Sequence, residues 1–217
     1  MRRSPVHRPT AFRTSAHSPP PPDTVELCWR ITVDRHHPYL AARGYHQWFV
    51  QELELGVSTD RLKGRLVIPV RNARGNVTGY IGRWTGDPVP SSREKYRYAG
   101  SAEAEVLNLP AVIALRTELP IIVVTDPLDF LHLRLNGREG VVSLVGDEIN
   151  DVQLRRLTYH FPGHPFIVLC DETKRGRQLR KQLVERLGGF NPVKTPEFLT
   201  AGRTVQSLTR EEAMEEL

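Results

Sequence analysis

The sequence has few cysteines, few aromatic residues and no long apolar run. Only Cys28 and Cys170 occur among 217 residues, too few for a disulfide-stapled secreted scaffold or a four-thiolate zinc site. No segment approaches the ~18 consecutive apolar residues of a membrane-spanning helix, and the N-terminus lacks the apolar stretch of a secretory signal. We therefore expect a cytoplasmic protein with no membrane partner and no zinc.

Acidic residues are absent from the first 22 positions, and this accounts for most of the net charge of +5. That segment carries four arginines, so the remaining 26 basic side chains face 25 acidic ones. Bulk charge therefore gives little support to a nucleic-acid partner, so only a local cluster of basic side chains can indicate one.

The chain divides by composition into an arm and two globular regions. Residues 1–22 hold six of the 17 prolines, which predicts a disordered arm with a polyproline II end. We predict a subdomain over 23–119 and a second domain over 120–217. The proline run leaves open a role as a protein-interaction module.

The first globular region mixes short helices with a hairpin. Apolar spacing predicts helices over about 38–55 with a break at Gly44, and a further helical stretch over 101–116. Two β-rich runs, 66–70 and 77–81, flank turn residues and predict a hairpin.

From residue 120 onward the pattern is strand and helix repeated three times. Short continuous apolar runs at 121–124, 141–145 and 166–170 predict strands buried on both faces. Helical patterns follow each of them, at 128–135, 149–159 and about 174–187. The fold class is therefore α/β: a small α+β subdomain followed by a parallel sheet flanked by helices.

Acidic or glycine-containing turns follow all three predicted strands. Because parallel strands bring their carboxyl ends to one edge, Asp126, Asp147 and Asp171 are expected there together. Such carboxylates favour a Mg²⁺ or Mn²⁺ site for phosphoryl transfer. They suit helix N-caps equally well, and spacing alone does not separate these readings.

A series of ordered motifs resembles the catalytic core of bacterial DNA primases. The segments 64–71 (G-R-L-V-I-P-V-R) and 75–83 (G-N-V-T-G-Y-I-G-R) are similar to its R-x-x-F-P-I-R and G-x-V-x-G-F-G-G-R blocks. Residues 39–44 are similar to its Y-L-x-x-R-G helix, and 94–96 to its P-K-Y segment. The resemblance spans about 36–190, and it implies a Toprim-like parallel sheet and a place in DNA replication.

The catalytic motifs of that family are only partly present. Its V-V-E-G-x-x-D motif falls on 123–129, where the glutamate position is Thr125 and only Asp129 matches among the acids. Its D-G-D-x-A-G-R motif falls on 171–177, where Asp171 matches and the second aspartate is Thr173. Asp129 and Asp171 are thus the candidate metal ligands, with Asp126 and Glu172 as displaced substitutes.

A basic surface that resembles the template-binding region of primases is better retained. Arginines bind phosphate and aromatic faces stack on bases. The predicted nucleic-acid-binding residues are Arg65, Arg71, Arg74, Arg83, Lys95, Tyr96 and Arg97. A second basic set at 174–181 is typical of a solvated helix face.

We predict a diverged primase-like protein that binds single-stranded DNA or RNA, with catalysis lost or impaired. A replication protein is a possible partner; no cofactor is certain, and Mg²⁺ or Mn²⁺ is expected only if the protein is active. The alternative is a Mg²⁺- or Mn²⁺-dependent Toprim enzyme that synthesises primers or cleaves phosphodiesters. The interaction module is a second alternative.

Overall fold

The computed structural model describes residues 22–146, 148–196 and 203–215. The predicted arm over 1–22 therefore lies outside the described residues except for Pro22. No helix within the described ranges is long and apolar enough to span a bilayer.

The first sheet is antiparallel and contains five strands in chain order. Two short helices, α1 (Pro38–Ala42) and α2 (Gln47–Glu52), lie between its first two strands. The strands are β1 (Val33–Asp34), β2 (Gly56–Ser58), β3 (Arg65–Arg71), β4 (Val77–Trp84) and β5 (Tyr96–Gly100). Because β5 pairs only with β4, it forms one edge of this sheet.

The predicted hairpin is β3–β4, and its turn is stabilised by a side chain of the turn itself. The Asn72 side-chain oxygen accepts hydrogen bonds from the backbone N–H groups of Arg74 and Asn76, both at 3.1 Å. Gly75 adopts a φ of 87°, a conformation that a residue without a Cβ adopts readily. The turn chemistry in the sequence thus predicts the pairing correctly.

The second sheet has the strand order β10-β9-β7-β8-β6. Its strands are β6 (Val106–Leu107), β7 (Ile121–Val124), β8 (Val141–Leu144), β9 (Phe166–Val168) and β10 (Val193–Lys194). All neighbours are parallel except β6, which is antiparallel to β8. Its helices are α3 (Leu109–Leu115), α4 (Pro127–Leu135), α5 (Asp151–His160) and α6 (Lys174–Leu187), and α7 (Arg210–Glu215) follows near the end of the chain.

Successive side chains of β7 pack into two different buried cores, which explains why its sequence is apolar throughout. Ile121 and Val123 belong to the core that includes residues of α5 and α6. Ile122 and Val124 belong to a second core that also contains residues of the first sheet. The two sheets therefore share one buried layer, and the predicted α/β class with its small first subdomain is confirmed.

One predicted helical stretch differs in the structure. Residues 101–116 contain a short 3-10 helix (Ala102–Ala104), then β6 and then α3, because Val106 and Leu107 pair with Leu144 and Ser143 of β8. Both β6 and α3 thus precede residue 119 and yet pack with the second sheet. The division at 119 remains a prediction about domain structure.

Candidate nucleic-acid interface

A cleft of about 990 Å³ lies between the edge strand β5 and the carboxyl ends of the parallel strands. The strand-end turns meet there, as predicted for a parallel sheet. Side chains from after β7 and β9, Gly146 from after β8, and the run 94–98 all line it. Asp147 lies outside the described residues.

Asp126 connects the two sides of this cleft. Its Oδ2 lies 2.8 Å from the Lys95 ammonium, and its Oδ1 accepts the Tyr96 hydroxyl at 2.5 Å. Oδ1 also accepts the backbone N–H of Leu128 at 2.8 Å, so Asp126 is the N-cap of α4. Burial, and then the negative charge of Asp126, raise the pKa of Tyr96 well above its usual value. Both carboxylate oxygens of Asp126 are therefore engaged by donors of this chain.

Asp129 is the most deeply buried acid in the cleft, with 2% of its surface exposed. Its Oδ1 accepts the Gln206 amide at 2.9 Å. Burial raises the pKa of Asp129 well above its usual range, and the nearby carboxylates of Asp126 and Asp171 raise it further. Asp171 in turn accepts the backbone N–H of Val205 at 3.0 Å. Val205 and Gln206 thus each donate a hydrogen bond to one of the two candidate metal ligands that match the resembled motifs.

Glu172 and Thr125 do not add carboxylate oxygens to the cleft. Glu172 pairs with Arg180 and, at 3.8 Å, with Arg177, and the Arg180 hydrogen bond lowers the pKa of Glu172. The Thr125 hydroxyl lies 3.8 Å from the Cys170 sulfur, to which it donates. Among the described residues, no three His, Cys, Asp or Glu side chains stand in an arrangement that suits a metal ion.

Three of the predicted nucleic-acid-binding residues line the cleft, all on or beside β5: Lys95, Tyr96 and Arg97. About half of the Lys95 and Arg97 side-chain surface is exposed. Arg97 pairs with Glu94 at 2.6 Å. The Tyr96 ring lies 6.4 Å from that of Tyr98, with 19° between the ring planes.

Arg65 and Arg83 do not face the cleft as free cations, because both are buried at 3% and 6% exposure. The Arg65 guanidinium donates to the backbone oxygens of Gly82 and Lys95, at 3.1 and 3.4 Å. Arg83 donates to the backbone oxygen of Trp84. Arg65 thus joins β3 to β4 and to the residue that precedes β5, whereas the contact of Arg83 lies within β4. Both side chains are buried rather than part of an exposed basic surface, and their role in binding nucleic acid stays a prediction.

Arg71 and Arg74 lie at the turn end of the hairpin, outside the cleft lining. Arg71 pairs with Glu54 at 2.7 Å and donates to the Gly75 backbone oxygen at 2.8 Å. Arg74 pairs with Asp23 at 2.8 Å. The seven predicted residues therefore do not form one continuous patch.

Known proteins similar to this chain are primases. The DNA primase of Pseudomonas putida is 27% identical over 145 residues, which is 63% of this chain and 21% of the primase. The chain thus spans about a fifth of that relative's length. No family model matches the sequence.

Solved structures with a similar fold are primase catalytic cores. A DnaG primase catalytic domain bound to ssDNA has a TM-score of 0.67 at 19% identity, over 82% of this chain and 68% of that one. The Escherichia coli primase catalytic core has a TM-score of 0.66 at 19% identity, over 84% and 70%. The chain is a primase-core-like protein.

Two residues at the cleft of this primase-like core are not predicted from the sequence. Arg175 lines the cleft beside Thr173, although it belongs to a basic run that resembles a solvated helix face. Its position four residues beyond Asp171, at the carboxyl end of a predicted strand, is the signal that could have identified it. Gln206 contacts Asp129 from 77 positions away, and no local pattern predicts such a contact.

Gly176 in the primase-like core is explained by a close approach of backbone. A Cβ at this position would lie 2.0 Å from the backbone oxygen of Asp171. The first turn of α6 can therefore pack directly against the backbone of Asp171, three residues after β9, only with glycine here. This packing positions Arg175 and the N-cap Thr173 at the cleft.

Proposed function

We propose that this primase-like core binds single-stranded nucleic acid in the cleft between its two sheets. The observation that carries the proposal is the lining of the cleft, where Lys95, Arg97 and Arg175 lie beside the ring pair of Tyr96 and Tyr98. Cationic side chains next to aromatic rings suit a flexible strand, because phosphates pair with the cations and bases stack on the rings. The structural neighbour bound to ssDNA supports the same reading.

We further propose that catalysis in this cleft is lost or impaired. Primer synthesis or phosphodiester cleavage of the resembled family would need Mg²⁺ or Mn²⁺, which carboxylates bind best. Asp126 is fully engaged by Lys95, Tyr96 and Leu128, and Glu172 is held by arginines of α6. The donor set therefore fits a divalent ion poorly. We therefore propose that the protein acts in DNA replication by binding nucleic acid rather than by catalysis, with or without a protein partner.

The test is fluorescence anisotropy of labelled single-stranded DNA and RNA with the full chain, across a salt titration and with and without Mn²⁺. Arg2, Arg3, Arg8 and Arg13 are replaced by alanine throughout, so that binding by the arm does not contribute. We expect salt-sensitive binding that is indifferent to Mn²⁺.

Lys95→Ala should weaken this binding and reduce the salt slope by no more than about 0.7, the value for one full phosphate contact on a single strand. Lys194→Ala is the matched control, because it removes the same charge from the exposed strand β10 at the far edge of the second sheet. Equal losses in the two variants, or no binding by the parent chain, would contradict the proposed cleft.

A metal-dependent enzyme remains the second candidate, and one observation favours it. Asp126, Asp129 and Asp171 all line the cleft, and the charges of Asp126 and Asp171 raise the pKa of Asp129. If this candidate is correct, Mn²⁺ will produce cleavage or primer synthesis that disappears in both Asp129→Asn and Asp171→Asn. Metal-independent binding with no product supports the binding protein instead.

A further inference from the structure

Lys95, one of the cations that line the cleft, is paired with an acid of this chain. Lys95 lies on the first sheet's side, and Asp126 caps α4 on the other side, 2.8 Å away. About half of the Lys95 side chain is exposed, against 22% for Asp126. An incoming phosphate can therefore reach the ammonium group while the carboxylate stays in place beside it.

We propose that Asp126 competes with nucleic-acid phosphate for Lys95 and thereby sets the affinity of the cleft. This inference rests on the proposed function and adds a residue that tunes it. A phosphate that contacts Lys95 must either displace the carboxylate or bind beside a like charge, and both reduce the gain from the contact. In this chain Asp126 therefore lowers the affinity of the cleft for nucleic acid.

The neighbouring ion pair of Arg97 with Glu94 should lower the affinity for nucleic acid less than Asp126 does. Its partners are three residues apart, and 53% and 66% of their side-chain surfaces are exposed. Such pairs exchange readily with solvent ions. Asp126 differs because the N–H of Leu128 and the hydroxyl of Tyr96 hold its carboxylate in position.

Asp126→Asn isolates the charge from the rest of the geometry. Asparagine is as good an N-cap as aspartate, and its side-chain oxygen can still accept from Leu128 and Tyr96. The substitution is nearly isosteric, so α4 should begin at the same residue. Thermal unfolding of the variant checks that the fold is retained.

The experiment is the anisotropy titration of single-stranded DNA with the arm-substituted full chain and its Asp126→Asn variant. We expect binding to tighten about two- to fivefold, the range for a part-exposed charge interaction. The slope of log K against log salt should steepen by less than about 0.7, the value for one full phosphate contact, because Lys95 gains the part of that contact that Asp126 takes in the parent chain. In the Lys95→Met background, Asp126→Asn should change neither quantity, since the two residues act as a pair.

Asp151→Asn is the matched control. It makes the same charge change in an ion pair with Arg186, on α5 and outside the cleft lining. If this control tightens binding as much as Asp126→Asn, the effect is one of net charge and the inference is wrong. Unchanged or weaker binding in Asp126→Asn, with the parent chain binding normally, also overturns it and leaves the proposed function intact. Absence of binding in the parent chain and in every variant overturns the proposed function itself.

Discussion

The buried ion pair between Arg156 and Glu105 gives the most demanding test of how the beginning of the described chain packs against α5. The Arg156 Nη2 lies 3.0 Å from the Glu105 Oε1, and 2% and 0% of the two side chains are exposed. Arg156 also donates to the backbone oxygens of Ala104 and Pro22, each at 3.0 Å. Thr24 donates to the same Glu105 oxygen at 2.5 Å. The pair therefore ties the beginning of the described chain to α5.

Arg156→Met should destabilise the protein by about 3–5 kcal/mol, because it leaves a buried carboxylate without its counter-charge. For a chain of this size that corresponds to a fall in Tm of about 6–20 °C. Circular dichroism melts and urea unfolding at pH 7 measure it. Arg155→Met, at the exposed neighbouring position of α5, should change stability by less than about 0.5 kcal/mol.

The pH dependence of the Arg156→Met effect has a defined sign. Burial already raises the pKa of Glu105, and Arg156 opposes that rise. Without Arg156 the pKa of Glu105 in the folded chain rises further. The folded chain then holds the Glu105 proton more tightly than the unfolded chain does, in which the pKa of a glutamate is about 4.3. The destabilisation should therefore be largest above the folded-state pKa and shrink as the pH falls through it. A destabilisation below about 1 kcal/mol, or one that grows on acidification, would refute the reasoning.

Three further predictions concern the cleft and the thiols. Gly176→Ala should lower stability by about 1–3 kcal/mol, because its Cβ would meet backbone atoms of Asp171, whereas Gly189→Ala meets nothing within 4 Å; comparable losses in urea unfolding of the two would contradict the close approach. Asp129→Asn should be more stable than the parent chain at neutral pH. The reason is that the pKa of Asp129 is raised in the folded chain, so the stability of the parent falls as the pH rises from about 3.9, the pKa of an unfolded aspartate, to the pKa of Asp129 in the folded chain. Its Tm advantage should disappear near pH 4, and a constant difference across pH would refute this cause. Cys28 is exposed, whereas Cys170 is buried and burial raises its pKa to about 11, so a thiol reagent should modify one cysteine in the native chain and two after unfolding; two fast reactions in the native chain would contradict the buried position.

Local pattern is sufficient to predict the parallel strands whose carboxyl ends form one side of the cleft, but it does not predict β5 on the other side. The apolar runs of β7, β8 and β9 are short and continuous because both faces of the second sheet are covered. The turn at 72–76 carries its own hydrogen-bonding side chain, which is a signal visible in sequence. In contrast, β6 has only two residues, and it forms a strand because it pairs with β8. The apolar periodicity of the residues around it favours a helix instead.

Side-chain direction was harder to predict than the backbone. The motif around Arg65 suggests an exposed cation, yet its side chain packs next to Gly82, where a Cβ would lie 3.1 Å from the Arg65 Cδ. The room for a buried guanidinium therefore comes from a glycine on the neighbouring strand, 17 positions away. Contacts of this kind depend on strand register, which the sequence of one strand does not contain.

The position of Asp126 connects the stability of the fold with the charge of the cleft. A carboxylate that follows a strand and precedes Pro127 is favoured as the N-cap of α4, because it accepts a backbone N–H and faces the positive end of the helix. The same turn lies at the carboxyl end of β7, where parallel strands direct their loops towards a ligand. A residue that is good for helix initiation is thus placed within reach of Lys95 and Tyr96. Because asparagine caps equally well, helix initiation alone does not require the negative charge of Asp126, and we infer that this charge acts on binding in the cleft.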